Sequence, residues 1–342
     1  IAIPASITSS GIESDISDLI KPGATALTTI NEGDVNFLIT TGSGSDDIVS
    51  GGGADVIVTG NGVNSVVAGA GTDIITGGTG VDTITMSAVA GTLNFTGGGT
   101  GTDVINAGAG VANTVTILDA TRMTFTGNSG VDTYTGSTLI DDIQVSNAGA
   151  GAEADVITTG TGADTIHIQG DGAGSLTVAA AELAVTKVTD FAVGVDIIEL
   201  DITTSDYTNV GAFESSTAVV AAGTSFVQSV AQSNGNVASN AAMDMIKLTT
   251  GVATTGLTVQ AAFNLAIGTS TVSAIGASAD TFFSMYDTTN SQMLVGTVDS
   301  AGAIGAATNV VIEAADAVSI IATMDMSAAD FASFGTADFA II

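Results

Sequence analysis

The chain has 342 residues, 45% of them hydrophobic and 11% charged, and sets 35 acidic residues against only Lys21, Arg122, Lys187 and Lys247, for a formal net charge of -31. A field of that sign repels nucleic acid and anionic lipid, so neither is an expected partner and the natural counter-charge is a metal ion. Val, Ile and Ala are too abundant for acidic disorder, and with no cysteine there is neither a disulfide nor a thiolate metal site. The longest informative uncharged stretch, between Lys247 and Asp280, is too rich in Thr, Ser and Gly for a spanning helix, so membrane insertion is not expected.

Residues 1–40 read as an extended arm, with Ile1, Ile3 and Ile7 around Pro4 and a turn at Pro22-Gly23. Its expected role is to cap the domain that follows; the alternative is addition of a strand to a neighbouring subunit. A start at Ile1 rather than methionine is what a processed, trimmed or partly represented chain would have.

From Thr41 the sequence reads TGSGSDDIV, SGGGADVIV, TGNGVNSVV, AGAGTDIIT and GGTGVDTIT without a gap, five units of nine residues. The second and fourth positions are glycine: Gly42 and Gly44, Gly51 and Gly53, Gly60 and Gly62, Gly69 and Gly71, Gly78 and Gly80. The sixth is Asp46, Asp55, Asn64, Asp73 or Asp82, and the eighth is Ile or Val. Alternate glycines permit a tight turn and leave backbone carbonyls open, and the sixth residue places a carboxylate oxygen beside them. Calcium takes six to eight oxygen ligands from carboxylates and carbonyls, so two stacked turns can enclose one ion. The residues after the acid form a short strand whose inward Ile or Val fills the space between two parallel sheets. Two units make a coil of about eighteen residues. Asp46, Asn64 and Asp82 should therefore stack on one edge, and Asp55 over Asp73 on the other. A flexible Gly/Thr linker would need neither the apolar residue nor the acid at fixed positions.

These units resemble the RTX nonapeptide repeats of type I-secreted bacterial proteins. The resemblance implies an all-β protein built on a parallel β-roll, with Ca2+ held at its turns; Asn64 departs from the family's usual acid and implies a weaker turn.

Further units follow with interruptions. GGTGTDVIN supplies Gly99, Gly101 and Asp103, whereas the next nine residues keep Gly108 and Gly110 but carry Ala112 where an acid is expected. GNSGVDTYT supplies Asp132, the following unit supplies Asp141 with Leu139 in place of a glycine, and a weaker unit surrounds Asp155. TGTGADTIH restores the pattern with Gly160, Gly162 and Asp164. Met86 to Gly97 and Val111 to Thr126 read as longer strands that lengthen coils. The roll is thus expected over 41–201, closing on VTDFAVGVDIIELD. That segment resembles the cap of RTX rolls, and Asp190 and Asp196 could complete a last calcium site there; a surface strand with solvated acids is the competing reading.

Residues 202–342 lose the glycine-acid pattern and read as a mainly β domain. Its expected strands are MIKLTT, TFFSMYD, SQMLVGTVD, NVVIEA and AVSIIATMDM, with a hairpin turn at Asp287 to Asn290 and a short helix over Val259 to Ile267. The ending DFASFGTADFAII resembles an uncleaved type I secretion signal, although a terminal strand docked on its own domain would look the same.

Nothing in the chain points to catalysis. His167 is the single histidine, which excludes a several-histidine zinc site, and no G-x-S-x-G elbow occurs. Paired acids such as Asp46-Asp47 and Asp141-Asp142 are better read as ligand and neighbour than as glycosidase acids. The composition resembles RTX surface-layer proteins. That resemblance implies an extracellular, cell-surface structural protein that polymerises with itself through calcium-dependent contacts, with a cell-surface polysaccharide as a further partner. An adhesin or ice-binding module, needing a flat regular Thr array, is the alternative.

Overall fold

The computed structural model describes residues 36–119, 122–127, 129–145, 154–168, 173–174, 178–200, 227–230, 236–238, 245–267, 271–273, 281–299 and 317–341. The expected arm before residue 36 and the NVVIEA strand from Asn309 lie outside them. The chain divides into two compact units, one of residues 1–146 and 155–165 and one of 147–154 and 166–342. Residues 166–201, which the repeat pattern places in the roll, therefore fall in the second unit.

The first unit is a parallel β-roll of two walls. One wall stacks Asp47–Val49, the first halves of Ser65–Thr76 and Thr83–Thr96, then Thr102–Asn106, Arg122–Thr126 and Asp141–Val145. The other stacks Leu38–Thr40, Val56–Val58, the second halves of the same two long strands, then Thr114–Ile117, Thr133–Thr135 and Val156–Thr158. Asp47 pairs with Ser65 and Val56 with Ile74, so one coil is two nonapeptides. The roll begins before Thr41, because Leu38–Thr40 has the strand alternation of a repeat without its glycine turn and pairs with Val56–Val58.

Strand alternation turns each eighth-position residue inward. Ile48, Ile57, Val66, Ile75, Ile84 and Ile105 are buried, each worth about 1.5–3 kcal/mol relative to exposure. Where the repeats lengthen, the filling grows: Phe95, Phe125 and Tyr134 are buried, and the Phe125 and Tyr134 rings stack with centroids 4.6 Å apart. The long strand Thr83–Thr96 carries the chain from one wall to the other, as the Met86 to Gly97 segment predicts.

In the second unit Met245–Val252 runs parallel to Val227–Val230 and to Thr281–Asp287, which turns back into Gln292–Asp299, followed by the antiparallel Ala317–Asp325. The hairpin and the helix α2 (Val259–Ile267) form where the pattern predicts them. α2 buries Val259, Phe263 and Ile267 in a core with Leu248, Phe283, Leu294 and Ile320, its Phe263 ring meeting Phe283 edge-on at 4.8 Å. A short helix earlier in the chain, α1 (Val178–Glu182), buries Val178 and Ala181 in the same core. Helix Ala328–Ser333 opens on Ser327, whose hydroxyl accepts from Asp330 N–H in a reciprocal capping box. The final strand, Phe339–Ile341, docks parallel to Ile197–Leu200, so the apolar ending is a strand of its own unit. His167 is tied to Glu199, Nδ1 to Oε2 3.1 Å, which gives it a structural place.

Lys247 is buried with its Nζ donating to the carbonyls of Ala332 (2.9 Å) and Phe334 (2.6 Å) and lying over the Phe331 ring. Burial lowers its pKa. Lys247→Met keeps the volume but leaves two carbonyls without that donor. It is expected to destabilise the second unit by about 1–3 kcal/mol, read as a lower melting temperature by circular dichroism.

Candidate metal centre

The sixth-position residues form two ladders along the edges of the roll. On one edge the backbone N–H of Asp46 donates to Asn64 Oδ1 (3.0 Å), that of Asn64 to Asp82 Oδ1 (3.1 Å) and that of Asp82 to Asp103 Oδ1 (2.8 Å). On the other, Asp55 N–H donates to Asp73 Oδ1 (3.0 Å). The stacking read from the repeat is therefore the stacking found. All of these side chains are at most 3% exposed. Each ladder then meets an apolar interruption: Met123 stands in register with Asp103, and Leu93 with Asp73. Beyond Met123 the first ladder resumes with Asp141, whose N–H donates to Asp164 Oδ1 (2.8 Å). The second resumes as Asn113, Asp132 and Asp155, joined by N–H donation to Oδ1 at 2.8 and 2.7 Å.

Asn113 is a residue the repeat pattern misses. Its turn carries one extra residue, so Ala112 stays exposed while Asn113 takes the ladder place, with Val115 as the inward residue two positions on. Asp119 is another: its Oδ1 and Oδ2 accept from Gly97 and Gly98 N–H at 3.0 and 2.8 Å. Asn36 is a third, its Oδ1 accepting from Ala54 N–H of the next coil, while the place before Asp55 in the ladder falls to Phe37, whose N–H donates to Asp55 Oδ1 at 2.8 Å. The extra residue at Asn113 breaks the nine-residue count, and Asp119 and Asn36 have no glycine pair to mark them.

The glycines do what the turn requires. A Cβ on Gly60 or Gly62 would lie 2.0 or 2.1 Å from the carbonyl oxygen of Gly42 or Gly44. The same relation holds for Gly69 and Gly71 over Gly51 and Gly53, for Gly78 and Gly80 over Gly60 and Gly62, and for Gly101 over Gly80; Gly99 meets Gly78 O less closely, at 2.8 Å. Gly160 and Gly162 oppose the carbonyls of Ser137 and Leu139. Each turn thus offers main-chain oxygens to the turn above it.

Electrostatics sets the demand for a cation. Burial, with the neighbouring ladder carboxylate adding to it, pushes Asp73 and Asp82 up to about 6, and Asp141 up to about 7. Burial also raises Asp55. Oδ2 of Asp55 and Oδ2 of Asp82 are buried and receive no hydrogen bond. Asp141 differs, since Ser137 N–H and Oγ close its own turn onto the carboxylate at 2.8 and 3.1 Å. Among the described residues no three Asp, Glu or His side chains converge on a point. A hard cation here would draw one carboxylate per turn and otherwise backbone carbonyls, a donor set that suits calcium.

Asp190 and Asp196 lie in the second unit, outside both ladders. Asp196 closes its own turn, with Ala192 N–H donating to Oδ2 at 2.7 Å.

Residues 38–57, 58–85 and 150–167 match the family model of the RTX calcium-binding nonapeptide repeat. Between the matched stretches, residues 86–149 have no match and contain both apolar interruptions and the enlarged turn at Asn113. Comparison with curated proteins and with solved structures returned no match. The unbroken nonapeptides, the two-unit coil and the family match agree that the chain carries an RTX β-roll, with repeats of the class that binds Ca2+.

Proposed function

We propose that the chain is a secreted structural protein that assembles with itself into a surface layer or extracellular filament, its roll folded by calcium outside the cell. The observation that carries the reading is a column of apolar side chains on the outer face of one wall. Leu38, Val56 and Ile74 stand in register on three successive coils at 41, 38 and 44% exposure. Outward positions of a roll need no apolar residue for folding, and a regular apolar row along a sheet face favours lateral contact. Extracellular calcium modules bind at about 10⁻⁴ to 10⁻³ M, so the acidic ladders would repel in a calcium-poor cytosol and close outside it. A cell-surface polysaccharide is the proposed anchor. No helix among the described residues is long and apolar enough to cross a membrane.

A second reading, an ice-binding or adhesive module, has its own support. On the same wall Thr114 and Thr116 are in register with Thr133 and Thr135, flanked by Thr92, Asn94 and Thr158. Electron microscopy separates the two. In millimolar calcium the wild-type chain is expected to form ordered polymers that EGTA dissolves, and Val56→Ser with Ile74→Ser is expected to lower the polymer yield with an unchanged circular dichroism spectrum. Monomers at every calcium concentration would overturn the assembly reading, and thermal hysteresis in those samples would favour the second.

A further inference from the structure

The second unit contains an acidic pair that the repeats do not account for. Asp287 ends the first strand of the hairpin and is fully buried. Its Oδ1 accepts from Thr254 Oγ1 and from Thr289 N–H, both at 2.8 Å, while its Oδ2, also buried, receives no hydrogen bond. Directly opposite Asp287 in the hairpin register stands Gln292. Its amide nitrogen donates to Oε1 of Glu182 at 2.7 Å, and the Asn290 amide reaches Oε2 of the same carboxylate at 3.0 Å. Glu182, at the end of the Val178–Glu182 helix, is thereby clamped beside the hairpin turn, close enough to Asp287 for the two charges to interact.

We propose that Asp287 and Glu182 form a divalent-cation site of the second unit, suited to a hard ion such as Ca2+. Two donors orient Asp287 through Oδ1 alone and so leave Oδ2 directed away from them. Two amides fix Glu182, which places both acids before any ion arrives. Rotation of the Asn290 amide on ion binding would exchange its donation to Glu182 for an oxygen ligand, while Gln292 keeps its hold on the carboxylate. Two carboxylates, that amide oxygen and water make the oxygen-only set that calcium takes and softer metals do not. The described lysines of the unit are engaged elsewhere, Lys187 with Asp325 at 2.9 Å and Lys247 with two carbonyls. Burial, and then the charge of Asp287, raise the pKa of Glu182, as expected where a carboxylate meets another without a cation between them. A shared proton is the competing way to neutralise the pair.

Native mass spectrometry of the full chain in saturating calcium tests this. The wild type is expected to carry one more Ca2+ than either Glu182→Gln or Asp287→Asn, each of which keeps shape and removes a charge. Equal ion counts in all three would overturn the site and leave the shared proton as the answer. Glu182 is partly exposed, so its variant is the one expected to fold without difficulty. Hydrogen exchange on the wild type gives an independent readout: calcium should slow exchange of the Thr289 amide, and an unchanged rate there would also overturn the site.

Discussion

Withdrawal of calcium with EGTA at neutral or higher pH is expected to unfold the roll and erase most of its far-ultraviolet β signal, with a pH dependence that reverses when calcium is restored. The reason lies in the stacked, buried carboxylates. Asp73 and Asp82 titrate at about 6 and Asp141 at about 7, all above the ordinary 3.8, chiefly because burial disfavours their charged form. A carboxyl whose pKa is higher folded than unfolded stabilises the fold when protonated. That contribution is complete below the unfolded value and is lost as the pH rises through the folded one. Without metal, stability should therefore fall between pH values of about 4 and 7. With metal the sign changes, because calcium needs the ionised carboxylates and protons compete for the same oxygens, so acid in that window weakens binding and lowers stability. Melting curves across this range, with EGTA and with excess calcium, should slope in opposite directions. Parallel curves, or a circular dichroism spectrum indifferent to EGTA, would remove calcium from the ladders altogether.

How far such a site can be read from residue order depends on whether its spacing is regular. Where nine residues recur unbroken, from Thr41 to Thr85, the alternation of Gly, acid and Ile determines wall, edge and inward side chain together, and the ladder Asp46, Asn64, Asp82 follows from counting. Counting fails at Asn113, because one inserted residue moves the ladder place without altering the glycines. It also cannot anticipate that Leu93 and Met123 occupy ladder positions, since both look like ordinary strand residues inside lengthened coils. Asp119 needs the fold itself: its two N–H donors, Gly97 and Gly98, lie one coil back where the GGTGTDVIN unit opens, and no period of the sequence ties that turn to residue 119. In the second unit the hairpin and α2 are local and legible. The pairing of Phe339–Ile341 with Ile197–Leu200 joins distant segments that no period connects. The Glu182 and Asp287 pair is of the same kind, assembled by tertiary packing from a helix end and a hairpin turn.

Replacement of Gly69 by alanine should be among the most damaging single changes in the chain, whereas the same change at Gly110 should be mild. Both glycines hold left-handed backbone, with φ of 81 and 75, and alanine pays about 1–2 kcal/mol for that conformation at either position. They differ in what stands opposite. A Cβ at Gly69 would come within 1.5 Å of the Gly51 carbonyl oxygen, which belongs to the backbone of the coil beneath and is fixed by the hydrogen bond from Ala70 N–H to that same oxygen. At Gly110 nothing lies within 4 Å. Relieving the first clash means separating two coils and displacing carbonyls that the ion would share, a cost on the order of 4 kcal/mol or more. Gly69→Ala should therefore require much more calcium to fold and melt far below the wild type, while Gly110→Ala keeps a near-normal calcium midpoint. Equal, small effects at both positions would mean that the turns do not stack glycine on carbonyl in solution, and the proposed calcium cradle between coils would lose its walls.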